Sequence, residues 1–292
     1  MNNIRKIDLH MHSTVSDGTD TPEELLEQVR NAGIELFALT DHDTAEGCVR
    51  IRKVLHADDP LLLSGIEFSC RDEEGKYHIL GYGFDPDSPS VRQIVTSGHR
   101  YRMEKVMARL DFLRTTFGFV FPEHEIQRLL SLCNPGKPHI GNLMVQYGYA
   151  SSKDEAINRY INQIRFHDEY VRPDEAVSGI LGGGGIPVLA HPAFGSGDEL
   201  IIGDELEQRI RRLIGYGLRG LEVFYSGYTP KLRAEALKIA EKHNLLVTAG
   251  SDYHGKNKLV TLGDTALDQA QAIPDGMLRF LEEAGDKCAA AK

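Results

Sequence analysis

The sequence predicts an α/β fold, a barrel built mainly from parallel strands with a helical insertion over its active-site face. Short apolar segments alternate with amphipathic helical segments on both sides of the insertion, which is typical of strands joined by helical crossovers. Between about residues 90 and 164 only helical periodicity is present. Histidines and acids follow five of the predicted strands, and in such barrels the chemistry lies at the carboxyl ends of the strands.

The first part of the barrel is predicted at residues 1–88. Its strands are expected at residues 4–9, 35–39, 61–66 and 77–83. Thr21, Pro22 and Glu24 form the pattern of a capping box with a first-turn proline, so a helix begins there and ends at Gly33. A second helix is predicted at residues 44–56, and a polar turn at residues 72–75 leads into the last of these strands.

The insertion is predicted at residues 89–172, with helices at 91–117, 122–132 and 152–164. The second part of the barrel, residues 173–292, contains predicted strands at 186–189, 220–223 and 245–249. Helices at 205–216 and 231–243 separate these strands, and a final helix is expected at 275–283.

Composition excludes several classes of function. The formal charge of -10 argues against binding along duplex nucleic acid, which requires clustered Lys and Arg. The cysteines lie far apart without a Cys-X-X-Cys pair, which indicates neither a disulfide framework nor a thiolate zinc site and favours a reduced, cytoplasmic protein. No segment has the length and apolar character of a membrane span, and no pattern indicates the oligomeric state.

Candidate metal ligands occur at the ends of the predicted strands. His10 and His12 are two residues apart, so on a continuing strand their side chains point to the same side and can hold one ion. Asp252 and His254 repeat this spacing. One His-X-His pair is weak evidence for a metal, but the whole set predicts a single cluster. The other members of the set are Asp17, His42, Glu67, His78 and His191.

These motifs resemble the PHP family, the polymerase and histidinol phosphatase domains that are related to amidohydrolases. The resemblance implies a metal-dependent phosphoesterase with a distorted barrel of seven strands, (β/α)7, and seven strands are predicted above. It is carried by Asp8-Leu-His10-Met-His12, Thr40-Asp41-His42-Asp43, Gly65-Ile66-Glu67, Ala190-His191-Pro192 and Gly250-Ser251-Asp252-Tyr253-His254, with Asp17 and His78.

The resemblance further implies a cluster of two to three divalent ions. Manganese is favoured, with zinc and iron as alternatives, because every ligand is a nitrogen or an oxygen and some family members have a histidine where Asp17 stands. By the family pattern the first ion is held by His10, His12, Glu67 and Asp252, the second by Glu67, His78 and His191, and the third by Asp17, His42 and His254.

The implied reaction is attack on phosphorus by a hydroxide that bridges two ions and is held in place by Glu67. Metal coordination makes this hydroxide available near neutral pH because it lowers the pKa of water. The leaving oxygen must gain a proton or a metal contact, and Asp43 and a metal-bound water are the candidate donors.

Substrate recognition is predicted for the insertion and the loops near it. Lys137 and His139 lie at the start of a helix, where backbone N–H groups and two basic side chains favour an anion. The further candidates are Arg71, Arg165 and His167 for a second phosphate and Tyr225 for stacking on a ring.

The insertion resembles that of family members acting on phosphorylated ribose. The Gly-Lys-Pro-His stretch at residues 136–139 favours 5-phosphoribosyl 1,2-cyclic phosphate. A 3',5'-nucleotide bisphosphate, or short RNA trimmed in the 5'-to-3' direction, is the alternative, although Ala193-Phe194-Gly195 stands where nucleotide-specific members tend to have Arg. An amidohydrolase acting on a C–N or lactone bond and an accessory binding module are the remaining alternatives.

Overall fold

The fold is described by a computed structural model that covers residues 6–166, 169–196, 199–270 and 272–290. The predicted substrate residue His167 lies outside these ranges. The strands are β1 (Ile7–Asp8), β2 (Leu36–Phe37), β3 (Leu61–Leu62), β4 (Gly65–Asp72), β5 (Gly75–Tyr82), β6 (Ile186–Leu189), β7 (Gly220–Tyr225) and β8 (Leu246–Gly250).

Each predicted helical segment contains a helix, but residues 152–164 divide into a short α-helix, a π-helical segment at Ala156–Tyr160 and a 3-10 turn at Ile161–Gln163. The α-helices are α1 (Pro22–Asn31), α2 (Glu46–Arg52), α3 (Pro89–Phe117), α4 (Glu123–Leu130), α5 (Lys137–Gln146), α6 (Lys153–Glu155), α7 (Pro173–Gly182), α8 (Gly203–Gly215), α9 (Pro230–Lys242) and α10 (Asp275–Ala290). The capping box of α1 is confirmed, because the Thr21 hydroxyl accepts from the Glu24 N–H and the Glu24 carboxylate accepts from the Thr21 N–H. Helix α7 has no counterpart in the sequence prediction.

The mixed α/β architecture is confirmed, but the strands of the described residues form two sheets and no closed barrel. Strands β1, β2 and β3 make a parallel sheet, and β4 to β8 make a second sheet in chain order. Strand β5 runs antiparallel to both of its neighbours. The reason is local: the turn between Asp72 and Gly75 is too short for a helical crossover, so β4 and β5 pair as a hairpin.

The two sheets meet at both edges through backbone hydrogen bonds. The Leu9 N–H donates to the Ala249 carbonyl at 3.0 Å, which joins the segment after β1 to β8. On the other side His42 forms an isolated parallel bridge with Glu67 at the start of β4. The segments that carry the predicted metal ligands therefore lie at the seams between the sheets.

The helices α3 to α6 pack around a small apolar core of their own. Val106, Leu113, Ile140 and Met144 are fully buried in it. Helix α3 begins at the Ser88 N-cap and ends at Gly118, whose φ of 72° favours glycine. None of the described helices combines the length with the apolar character that a bilayer crossing requires.

Candidate metal centre

Glu67 lies at the centre of a buried group of histidines. Its Oε2 atom is 3.3 Å from His10 Nε2, 3.1 Å from His12 Nε2 and 3.2 Å from His42 Nδ1. Its Oε1 atom is 2.8 Å from His78 Nδ1 and 3.5 Å from His191 Nε2. Only 1% of Glu67 is exposed to solvent. Five histidines from four segments of the chain therefore present ring nitrogens to one carboxylate.

The remaining predicted ligands extend this group on the His12 side. His254 Nε2 is 3.3 Å from Asp17 Oδ1, and His42 Nε2 is 3.9 Å from Asp17 Oδ2. Asp252 Oδ1 lies 3.6 Å from the Nε2 atoms of both His10 and His12. The structure thus brings all nine predicted ligands together, and we call this set the ligand cluster: His10, His12, Asp17, His42, Glu67, His78, His191, Asp252 and His254.

Two of the ligands reach the cluster from within strands rather than from strand ends. Glu67 lies near the start of β4 and His78 lies in the middle of β5. The hairpin register pairs His78 with Ser69, two residues from Glu67, so the Glu67 and His78 side chains share a face. The expectation that Glu67 follows the end of a strand was wrong, because β4 continues beyond Glu67 to Asp72.

Backbone pairing at the other seam sets the remaining geometry. The Asp252 N–H donates to the His10 carbonyl at 2.7 Å, and the His12 N–H donates to the Tyr253 carbonyl at 2.8 Å. His191 and Asp252 adopt positive φ angles of 27° and 57°, which are strained for residues other than glycine. Strain of this kind persists where the surrounding structure holds a functional side chain in place.

The ligand cluster suits divalent cations. His10 Nε2, His12 Nε2 and His42 Nδ1 are buried, point towards Glu67 and have no hydrogen-bond partner among the residues that the structure covers. Burial without a partner is costly for such atoms, and a metal ion would remove that cost. Nitrogen and carboxylate ligands without sulfur suit manganese, zinc or iron. The cluster can therefore hold metal ions, and its composition does not select one metal.

Electrostatics favour the metal-binding protonation states of Glu67 and His42. Burial raises the pKa of Glu67, but the attraction of His78, His10 and His42 outweighs it and holds the pKa well below its usual range. Burial lowers the pKa of His42 to about 3, so its ring is neutral at pH 7. A charged carboxylate and a neutral imidazole are the forms that coordinate metals.

Glu222, which sequence reasoning missed, orients two of the ligands. It lies in β7 with no exposed surface. Its Oε1 atom is 2.9 Å from His10 Nδ1, and its Oε2 atom accepts from the His191 N–H at 2.9 Å. With Nδ1 held by a carboxylate, Nε2 of His10 stays available as a ligand. The available signal was a charged residue in the middle of a buried strand.

Asp8 and Asp41 are buried carboxylates that hold the ligand-bearing loops. Asp8 accepts from the N–H and the hydroxyl of Ser251 at 2.9 and 2.6 Å. Asp41 accepts from the N–H and the hydroxyl of Ser13, both at 2.8 Å. Burial raises the pKa of Asp8 to about 6.

Asp43 does not have the surroundings of a proton donor. Its Oδ2 atom accepts from Nε and Nη2 of Arg102 at 3.0 and 2.6 Å, and its Oδ1 atom accepts from the Ser69 N–H at 2.9 Å. Burial raises the pKa of Asp43, but Arg102 outweighs burial and holds the pKa below its usual range. Asp43 is thus a carboxylate at neutral pH that positions Arg102.

Tyr225 is not placed to stack on a substrate ring, because it is 6% exposed and packs against Phe194 and Tyr228. Its hydroxyl donates to Asp252 Oδ2 at 3.0 Å, and Lys258 contacts the same oxygen. Tyr225 and Lys258 together hold one oxygen of Asp252, so the other faces His10 and His12.

Of the predicted substrate residues, Lys137 is placed to contact a ligand, whereas His139, Arg71 and Arg165 are not. Lys137 lines a pocket of about 270 Å³ that also reaches Asp17, His42 and His78. His139 Nδ1 instead accepts from the Gly136 N–H at 3.0 Å at the start of α5, and burial lowers the pKa of His139, so this ring is not a cation at neutral pH. Arg71 donates to the Phe166 carbonyl and Arg165 is exposed; neither is among the described residues that line the pocket.

The same pocket contains three cations of α3 that sequence reasoning also missed. Arg102, Lys105 and Arg109 line it, and all three are at least 91% buried. Their spacing of three and four residues places them on one helix face, next to the apolar residues Val106 and Leu113. Basic residues within the apolar stripe of a helix were the signal that pointed to a site.

The model of the PHP domain family matches residues 8–171, more than half of the chain. The chain belongs to the PHP family. Helices α3 to α6 lie within the match.

Relatives of this PHP protein are named for phosphoester hydrolysis. It is 33% identical over 259 residues to a phosphoribosyl 1,2-cyclic phosphate 1,2-diphosphodiesterase of Eggerthella lenta, across 85% of this chain and 94% of that protein. It is 27% identical over 262 residues to a 5'-3' exoribonuclease of Haemophilus influenzae, across 89% and 93% of the two chains. A 3',5'-nucleoside bisphosphate phosphatase of Chromobacterium violaceum is also 27% identical, across 86% and 88%.

Solved structures agree with this membership. A metal-dependent phosphoesterase structure from Bifidobacterium adolescentis superposes with a TM-score of 0.76 at 28% identity, covering 95% of this chain and 96% of that one. A Chromobacterium violaceum structure named as an amidohydrolase with bound sulfate has a TM-score of 0.79 at 26% identity and covers 96% of both chains. The predicted enzyme class, phosphoric ester hydrolase, is confirmed at the level of these relatives.

Proposed function

We propose that this PHP protein is a metal-dependent phosphoesterase that hydrolyses a small phosphorylated ribose, and that 5-phosphoribosyl 1,2-cyclic phosphate is its substrate. The observation that carries the proposal is the convergence of unpartnered histidine nitrogens on Glu67, next to a pocket lined by basic residues. The relative from Eggerthella lenta, which is named for this substrate, supports it.

The ligand cluster divides into three ion sites in the proposal. The first consists of His10, His12, Glu67 and Asp252, the second of Glu67, His78 and His191, and the third of Asp17, His42 and His254. Groups of ligand atoms within 4.8 Å of one another support parts of all three, although His12 also falls into the third group and His42 into the second. Bound ions would supply a nucleophile near neutral pH and neutralise the charge of the scissile phosphate.

The chain itself contributes orientation and charge to the reaction. Glu67 presents one oxygen to each side of the ligand cluster, so it would supply a ligand to two ion sites. Glu222 sets the ring orientation of His10, while Tyr225 and Lys258 restrain Asp252. Lys137 lines the pocket beside His42, where it attracts an anionic substrate. Residues 89–172 serve as the substrate-recognition cap.

Two alternative functions each have one supporting observation. The relatives named as an exoribonuclease and a bisphosphate phosphatase support a nucleotide or short RNA as substrate. Against that reading, Phe194 packs on Tyr225 and Tyr228, and no Arg follows His191-Pro192. The structure named as an amidohydrolase supports attack on a carbonyl, although its bound sulfate is an anion of phosphate-like shape.

The test is product formation by the manganese-loaded protein with three substrates: 5-phosphoribosyl 1,2-cyclic phosphate, adenosine 3',5'-bisphosphate and short 5'-phosphorylated RNA. We expect the highest kcat/KM for the cyclic sugar and no turnover by the Glu67→Ala variant. A higher kcat/KM for the bisphosphate or the RNA would instead support a nucleotide or short RNA as the substrate. Inactivity on all three, with hydrolysis of an amide or lactone, would overturn the proposal.

A further inference from the structure

We propose that Lys105 and Arg109 form a second anion subsite, which binds a phosphate group of the substrate that is not cleaved. This inference rests on the proposed function, because it assigns the scissile phosphoester to the ligand cluster. Lys105 and Arg109 would then determine specificity, and the substrate would have to carry a second negatively charged group.

Burial without an ion-pair partner is the first observation. Lys105 is 7% exposed and Arg109 is 5% exposed. Neither forms an ion pair within the ranges covered by the structure, and Arg109 Nε has no hydrogen-bond partner there. Arg102 differs, because Asp43 neutralises it. Buried cations are normally paired, so an unpaired set that faces a pocket indicates that an anion belongs there.

Aromatic rings hold both cations in place. Lys105 Nζ lies 3.6 Å from the ring centroid of Tyr170, and the Arg109 guanidinium lies 5.0 Å from that of Phe166. Cation–π contacts stabilise a charge without neutralising it. Both side chains therefore stay able to donate hydrogen bonds to a ligand.

The helix sets the distance between the two proposed anion positions. Arg102 contacts Asp43, the residue after the ligand His42, so this turn of α3 lies beside the ligand cluster. At 1.5 Å per residue, Lys105 and Arg109 lie roughly 5 Å and 10 Å further along the helix axis. One pocket is lined by His42 at one point and by Lys105 and Arg109 at another. A phosphorylated sugar has its charged groups separated on this scale.

The pocket also limits the size of the enclosed group. Its volume of about 270 Å³ lies just below the roughly 300 to 1,000 Å³ that is usual for small-molecule sites. A small phosphorylated sugar is of the size that such a volume suits. The predicted substrate class is thus a pentose that carries one scissile and one retained phosphate.

Anion binding to metal-free protein tests the subsite apart from catalysis. Calorimetric titration with ribose 5-phosphate and with inorganic phosphate, after chelation of metals, would compare wild type with Lys105→Met and Arg109→Met. We expect about 10- to 100-fold weaker binding in both variants, because each removes a charged donor. Lys105→Arg should retain most of the affinity. Arg100→Met, an exposed cation of the same helix that pairs with Glu104, is the matched control.

A kinetic comparison completes the test. With manganese bound, kcat/KM is measured for two substrates that differ only in the presence of the retained phosphate. Wild type should prefer the substrate that carries this phosphate, and the ratio of the two kcat/KM values should fall at least about 10-fold in Lys105→Met. Wild-type affinity in both methionine variants would overturn the subsite even if the enzyme is active. Inactivity on every phosphoester, with binding that still depends on Lys105, would overturn the proposed function and leave the subsite standing.

Discussion

Glu222 is a carboxylate in the interior of β7, where a fully buried strand normally carries apolar residues. Its two oxygens serve His10 and the backbone of His191, so one side chain connects ligands from different strands. The sequence indicated the members of the ligand cluster through their motifs and the family resemblance. It did not predict Glu222, Tyr225 or Lys258 as their supports, since those contacts depend on how the strands are placed side by side.

The Glu222→Gln variant tests this support. A glutamine keeps one acceptor but replaces the other with a donor, which then opposes either His10 or the His191 N–H. We expect metal affinity to fall about 10- to 100-fold, the range typical of partners of metal-binding histidines. Competition with a chelating dye measures the affinity. Glu241→Gln, exposed on α9, is the control, and equal affinities of the two variants would contradict the role of Glu222.

At the level of elements, the positions of most helices were predictable, whereas helix α7 and the strand directions were not. Local capping patterns at Thr21 and Ser88 mark the starts of α1 and α3. The antiparallel course of β5 depends on the four-residue hairpin turn, which the sequence showed, and on the choice of β6 as its next partner, which no local pattern encodes. Long-range pairing of this kind is a tertiary property.

The buried cation of α3 has a consequence for stability that can be measured. Burial lowers the pKa of Lys105 from 10.5 to about 7, and the nearby Arg102 adds to this effect. Between these two values the unfolded chain holds a proton that the folded chain has lost, so raising the pH favours folding. The contribution of Lys105 to the free energy of unfolding should therefore rise from about pH 7 to about pH 10.5, by at most about 1.4 kcal/mol per pH unit.

Urea unfolding of metal-free protein at several pH values in this window would measure the effect. The free energy of unfolding of Lys105→Met should increase less steeply with pH than that of wild type. Lys238→Met, exposed on α9, should follow wild type. Parallel curves for wild type and Lys105→Met would show that Lys105 stays protonated in the folded protein.

The end of β8 tolerates no side chain at Gly250. A methyl group there would overlap Cβ of His10 and Oε1 of Glu222. We expect Gly250→Ala to lower the free energy of unfolding by about 1 to 3 kcal/mol through overpacking, and to weaken metal binding because His10 must move. Gly215→Ala, at the end of α8 with no neighbouring atom within 4 Å, should be neutral or stabilising by up to about 1 kcal/mol. Chemical denaturation of both variants decides the comparison.

On the scale of the whole molecule, the ligand cluster draws on both sheets. His10, His12 and His42 follow strands of the first sheet, whereas Glu67, His78 and His191 belong to the second. The prediction of a closed barrel correctly placed the ligand-bearing segments close together. It overstated the strand pairing, because backbone bridges such as the one between His42 and Glu67 join the sheets at single positions.

Metal binding should accordingly stabilise the entire fold. At a Mn²⁺ concentration 100 times the dissociation constant, the gain is about 2.7 kcal/mol for one site, or roughly 4 to 5 °C in Tm for a protein of this size. Differential scanning calorimetry of chelated and Mn²⁺-loaded protein measures the shift. Glu67→Ala should lose it, and an equal shift in that variant would place the ions elsewhere.

The pairing of Asp252 with His10 also dictates when the centre can assemble in a living cell. A chain emerging from the ribosome exposes His10 and His12 early, whereas Asp252 and His254 emerge only after the last strand. The early histidines can hold a cation only loosely until that strand docks. We therefore expect the complete ligand cluster to form only after β8 has docked.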